Sequence, residues 1–156
     1  MQKITTFLWY ENQAEEAAKH YTSIFDDSEI TSVSRYSDAG PGALGSVMTV
    51  TFRLAGQQFI ALNGHSRSGF TESISLFVDC TSQREVDELW RKLSDGGEQG
   101  PCGWLTDRYG VSWQIIPRAL TDLASDPDPE KAGRVMKAML GMGKIDIKAL
   151  EDAYHG

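Results

Sequence analysis

Histidine and cysteine, the side chains most versatile as nucleophiles, metal ligands or proton carriers near neutral pH, are few in this sequence. Three histidines stand far apart at His20, His65 and His155, and two cysteines at Cys80 and Cys102. Metal-binding cysteines come in short pairs such as C-x-x-C, because two ligands must reach one ion from a single turn. Cys80 and Cys102 lack that spacing, so they read as two small buried or half-buried thiols, unpaired in a reducing compartment. His20 falls in a helix-forming segment and His155 beside the C-terminus, both expected to face solvent. His65, in the loop after Asn63-Gly64, is the histidine left for a functional role. The glycine-rich run Gly40-Pro41-Gly42-Ala43-Leu44-Gly45 lies between two strand-like segments. A phosphate-cradling loop needs a helix directly behind it to offer free amides, so this one is expected to be a flexible hairpin loop able to act as a lid.

Size and charge bound the frame that positions these residues. A chain of 156 residues fits one compact domain or two small half-domains sharing a core. With 40% hydrophobic and 24% charged residues it has an ordinary globular composition. The 22 acidic against 15 basic residues give a net charge of −7, with no basic cluster to interrupt it. That balance argues against a nucleic-acid partner or an anionic membrane surface. No apolar run approaches the roughly 20 residues that span a bilayer, and the start lacks a signal-peptide pattern, so a cytoplasmic protein is expected.

The elements follow from periodicity. Residues 4–10 are β-branched and aromatic, which suits a strand, and Asn12 with Glu15 offers a capping box to a helix carrying Ala14, Ala17, Ala18, Tyr21, Ile24 and Phe25. Residues 29–36, 47–54 and 57–62 read as three further strands. The order then repeats. Residues 74–78 suit a strand, Ser82 and Glu85 a capping box, and Val86, Leu89, Trp90 and Leu93 a helical stripe. Short strands at 99–102 and 104–106 and a last one at 111–116, ended by Pro117, follow. A shift of 69 residues lays Phe7 on Leu76, Trp9 on Val78 and Tyr21 on Trp90 with no gap, which predicts a duplicated unit. Beyond it, Asp128-Pro129 opens a helix with an apolar stripe of Ala132, Val135, Met136, Met139 and Leu140, and Ile145-Asp146 opens a last short one.

Two β-α-β-β-β units, a turn at Asp107-Arg108-Tyr109-Gly110, and the run from Cys102 through Trp104 and Gln114 to Pro117 together resemble the PhnB-like branch of the vicinal-oxygen-chelate superfamily. That superfamily includes the glyoxalase, bleomycin-resistance and dioxygenase proteins; the branch is often labelled 3-demethylubiquinone-9 3-methyltransferase-like. Ala14-Glu15-Glu16-Ala17-Ala18, Phe59 to Gly64, Pro129-Glu130-Lys131-Ala132 and Lys144 to Ile147 carry the same resemblance. It implies an α+β fold of two βαβββ modules, 1–63 and 72–117, whose cupped sheets enclose a small-molecule cavity, with a helical extension at 118–156. A homodimer is implied as well.

Metalloenzymes of the superfamily take ligands from the first, fourth, fifth and eighth strands. The matching positions here are Thr6 or Ile4, Ile60 or Asn63, Ser73, and Gln114. Hydroxyls and amides bind divalent transition metals poorly, so neither a metal nor another cofactor is expected. The resemblance then implies a cavity lined by Thr6, Leu8, Asn63, His65, Ser73, Ser75, Phe77, Trp104 and Gln114. Such a lining suits a neutral or weakly polar small molecule. An enzyme of the glyoxalase and dioxygenase type is one outcome. A non-catalytic dimeric scaffold whose tail docks a protein partner is the alternative. A methyltransferase is disfavoured, since no glycine-rich strand-to-helix turn is present to hold an adenosine-bearing methyl donor.

Overall fold

In the first β-strand, β1 (Thr6–Tyr10), buried and exposed side chains alternate strictly, so one face of its sheet must be covered and the other open. The structure, a computed structural model, describes residues 2–66 and 68–156. It divides into two compact units, Met1–Gly69 and Phe70–Gly156.

The first unit runs β1, α1 (Ala14–Ile24), β2 (Glu29–Arg35), β3 (Val47–Leu54) and β4 (Gln57–Asn63). Its sheet has the order β1-β4-β3-β2, with β1 parallel to β4 and the remaining pairs antiparallel. Helix α1 covers one face through Ala14, Ala17, Ala18 and Tyr21, and its three small alanines allow close approach to β3, where Val50 and Phe52 are buried. Phe52 stacks on Phe59 at 5.5 Å between ring centres, and Tyr10 Oη donates to Tyr21 Oη at 3.2 Å. The expected capping box at Asn12 and Glu15 does not form. Gln13 is the N-cap and supplies no side-chain bond; Asn63 Oδ1 instead accepts from the Ala14 amide at 2.8 Å. The free amide of a helix start is thus met from a strand 49 residues away, which no local pattern announces.

The second unit runs β5 (Leu76–Cys80), α2 (Gln83–Ser94), β6 (Glu98–Gln99), β7 (Trp104–Thr106) and β8 (Ser112–Pro117) in the sheet order β5-β8-β7-β6. Strand β5 starts two residues later than expected because Ile74, although β-branched, is 72% exposed and precedes the pairing with β8. The α2 capping residue is as expected: Ser82 Oγ accepts from the Glu85 amide at 3.1 Å. Asp107, almost wholly buried, accepts from the Tyr109 and Val111 amides and from Trp113 Nε1 at 2.8, 3.0 and 2.9 Å, which fixes the turn into β8. Gly103, at φ +83°, lies against Ile116, where a side chain would be strained and crowded.

Three helices close the chain: α3 (Arg118–Ala124), α4 (Pro129–Leu140) and α5 (Ile147–His155). Helix α3 was not expected, because Pro117 reads as a strand terminator and a seven-residue helix carries less than two turns of apolar repeat. The tail packs on its own unit, joining Ile116 and Leu120 to Val135, Ile145 and Leu150. This divides the α4 stripe: Val135 is sealed and Met139 partly covered, whereas Met136 and Leu140 remain exposed. Gln83 stitches α2 to the tail by donating to Ile145 O and accepting from the Ile147 amide, at 2.9 and 2.7 Å. No helix among the described residues is long and apolar enough to cross a membrane.

Candidate functional site

In each unit one sheet face is covered by a helix, and the register of the strands decides which side chains stand on the other. In the second unit Trp113 and Ile115 are buried beneath α2, so Gln114 points the opposite way. Its direct cross-strand neighbours are Phe77 on β5 and Trp104 on β7. Gln114 Nε2 donates to Ser75 Oγ at 3.0 Å, while its Oε1 accepts from no described residue. Ser75, Phe77, Trp104 and Gln114 are therefore brought together on one open face: an acceptor and a hydroxyl set between two aromatic rings. Phe77 is 56% exposed there. Ser73 sits in the loop before β5 and, with Trp104, Thr106, Ser112, Glu72 and Glu98, lines a pocket of about 550 Å³ on the same unit.

Three expected lining residues in the first unit lie elsewhere. Thr6 pairs with Phe59 and Leu8 with Ala61, and all four sit on the helix-covered face; Leu8 is part of the core. The open-face residues of β1 are Phe7 and Trp9, about half exposed, with Ile60 and Leu62 beside them on β4. Asn63 is engaged in structure: besides receiving the Ala14 amide it donates Nδ2 to Val47 O at 3.2 Å. The sequence signal that finds Phe7 and Trp9 is the parallel offset of the two units. Buried Leu8 and Tyr10 correspond to Val78 and Cys80, a shift of 70 rather than 69. The helices keep 69, so the units differ by one residue in the strand-to-helix connection, and a slip of one residue exchanges the faces of β1.

His65 is exposed and lines a second pocket, about 570 Å³, with Glu11, Glu15, Tyr36 and Ser46 in the first unit. The Gly40 to Gly45 segment wraps the Tyr36 ring: a Cβ at Gly40 would lie 2.8 Å from Tyr36 Cδ1, and Tyr36 Oη donates to Asn63 O. Among the described residues no group of three or more His, Cys, Asp or Glu side chains converges as a metal site requires. Both cysteines are free thiols, and burial, with Glu85 and Asp79 nearby, pushes the Cys80 thiol up to about 12, which disqualifies it as a nucleophile near neutral pH.

The profile of the 3-demethylubiquinone-9 3-methyltransferase family matches residues 2–116. The chain belongs to this PhnB-like family. A PhnB protein from Bacillus cereus, itself given the 3-demethylubiquinone-9 3-methyltransferase name, is 44% identical; the match covers 74% of this chain and 99% of that one with a TM-score of 0.67. Protein PA1353 from Pseudomonas aeruginosa, 19% identical over 75% of this chain and 98% of its own, has a TM-score of 0.64. The fosfomycin resistance protein FosX from Listeria monocytogenes, in a complex with Mn(II) and sulfate, is 20% identical over 72% and 90% with a TM-score of 0.52, and shares the fold alone. No curated protein matches the chain. The fold is the two-module α+β architecture of the vicinal-oxygen-chelate superfamily.

Proposed function

We propose that this PhnB-like protein binds a small molecule on the open face of its second sheet, at Gln114, without a protein-bound metal or other cofactor, and works as a homodimer. The observation that carries the reading is the Gln114 amide, held by Ser75 and set between Phe77 and Trp104 with its carbonyl oxygen free to accept. An acceptor flanked by aromatic surface suits a ligand with an apolar body and at least one hydrogen-bond donor. The absence of a metal is supported by donor chemistry. At the positions matched to the superfamily's metal ligands stand Thr6 or Ile4, Ile60 or Asn63, Ser73, and Gln114, none of them an imidazole or a carboxylate. Methyl transfer has no support beyond the family name: the strand-to-helix connections, Glu11-Asn12-Gln13 and Thr81-Ser82, hold no glycine to admit a nucleotide-like methyl donor.

The test is a metabolite library scored by ligand-induced melting shift, repeated on Gln114→Ala, with elemental analysis of protein purified without chelator. A hit should lose affinity at least several-fold in Gln114→Ala while the unliganded melting temperature stays close to the parent value, because Gln114 is half-exposed and its loss empties no core. Hits unaffected by Gln114→Ala, or one zinc, nickel, manganese or iron held per chain, would defeat this reading.

A further inference from the structure

The pocket beside Gln114 has an uneven lining. Glu72 and Glu98 stand on its rim, Ser73, Thr106 and Ser112 supply hydroxyls, and Trp104 supplies an aromatic wall. Neither carboxylate has an ion-pair partner among the described residues, although eight other ion pairs are formed: Asp27 and Glu29 share Arg53, for instance, and Asp87 holds Lys144. Trp104 likewise has no cation over its ring, whereas Tyr154 is covered by Lys131. Among the described residues no lysine, arginine or histidine lines this pocket. A cavity of about 550 Å³ with two carboxylates, an uncovered indole and no base among its described lining residues favours positive charge in its occupant.

We propose that the ligand of this site is a small organic cation: an ammonium group seated over Trp104 between Glu72 and Glu98, its apolar body reaching Phe77 and its hydrogen-bond donor reaching Gln114 Oε1. The inference rests on the open-face reading above and adds the charge of the ligand. The two carboxylates set the sign, and the indole face gives a preference for a diffuse, weakly hydrated cation over a metal ion.

The experiment compares two isosteric probes, (4-hydroxyphenyl)trimethylammonium and 4-tert-butylphenol, by following the Trp104 indole N–H and the Gln114 side-chain amide in nitrogen–proton correlation spectra of the full chain. The indole signal is assigned with Trp104→Phe. The cation is expected to bind about fivefold or more tightly than its neutral twin. That preference should collapse in the Glu72→Gln, Glu98→Gln double variant and shrink as salt is raised. Both glutamates are exposed, so the variant should fold. Equal binding of the two probes, or a preference for the phenol, would overturn the cation assignment while leaving the Gln114 site standing. A cation preference that survives in the double variant would overturn the role given to the carboxylates. No shift at Trp104 or Gln114 with either probe would overturn this inference, and the library test then judges the site by itself.

Discussion

Asp107 shows how much one side chain can do in a turn. Its buried carboxylate accepts from two backbone amides and the Trp113 indole, so the residue just after β7 also fixes the start of β8 and thereby the facing of Gln114. Replacing it leaves those donors unmet inside the protein. Asp107→Ala is expected to cost about 2–5 kcal/mol, measured by urea unfolding, with Asp107→Asn milder because one acceptor remains; a loss below about 0.5 kcal/mol for the alanine variant would show that water replaces the carboxylate. Cys80 gives a pH dependence. Its thiol titrates near 12 in the folded protein, raised first by burial and then by Glu85 and Asp79, and about 8.5 when unfolded. A folded pKa raised above the unfolded one gives stability that is complete below about pH 8.5 and lost as pH climbs toward 12, at up to about 1.4 kcal/mol per pH unit. The stability difference between the parent and Cys80→Ala should therefore narrow between about pH 8.5 and 10.5, and a difference that stays constant over that range would assign the alkaline loss to other groups.

At the level of elements, most of the fold was legible because strands and helices write their period into the sequence. The α2 stripe, its Ser82 cap, the Asp128 and Asp146 caps and the boundaries of β3 all appear in local patterns. Half of the candidate site was legible for the same reason. Once Trp113 and Ile115 are given to the helix side, Gln114 must face outward, and the residues beside it follow from the pairing. The first unit was misread through one slip. Aligning the helices fixes an offset of 69, but three residues join β1 to α1 and two join β5 to α2, so the strands are offset by 70. Thr6 and Leu8 were thereby assigned the face that belongs to Phe7 and Trp9. The cap of α1 was missed for a different reason, since it depends on chain neighbours far apart in sequence. That difference is testable: Asn63→Ala should lower stability by about 1–2 kcal/mol through the lost bonds to Ala14 and Val47, whereas Asn12→Ala should stay within about 0.5 kcal/mol of the parent in thermal unfolding. The reverse order would return the cap to Asn12.

On the scale of the whole molecule, the question is what covers the apolar surface the two open faces present. The tail supplies only a small free apolar surface, because Val135, Met139, Ile145 and Leu150 are spent against Ile116 and Leu120, leaving Met136 and Leu140, one turn apart on α4, as its exposed pair. Phe7 and Trp9 are different: 53% and 47% exposed, they stand side by side in alternation on β1 with Ile60 and Leu62 next to them. Aromatic side chains bury about 150–250 Å² each when fully covered, so the half still exposed on these two amounts to the centre of an interface rather than all of it. A stable one needs about 800 Å² per partner, and the hydroxyls of Ser34 and Thr49, hydrogen-bonded to each other on the same sheet, would form its polar rim. The charge of −7 per chain opposes self-association at low salt, so dimerisation should strengthen as ionic strength rises. Light scattering at micromolar concentration in about 0.15 M salt is expected to give about twice the 17.2 kDa chain mass. Phe7→Ser with Trp9→Ser should shift that mass toward the single chain, and Met136→Ser with Leu140→Ser should leave it unchanged. Dimers lost through the α4 pair and kept through the β1 pair would move the interface to the tail, and a clean monomer for the parent protein would remove the second copy altogether.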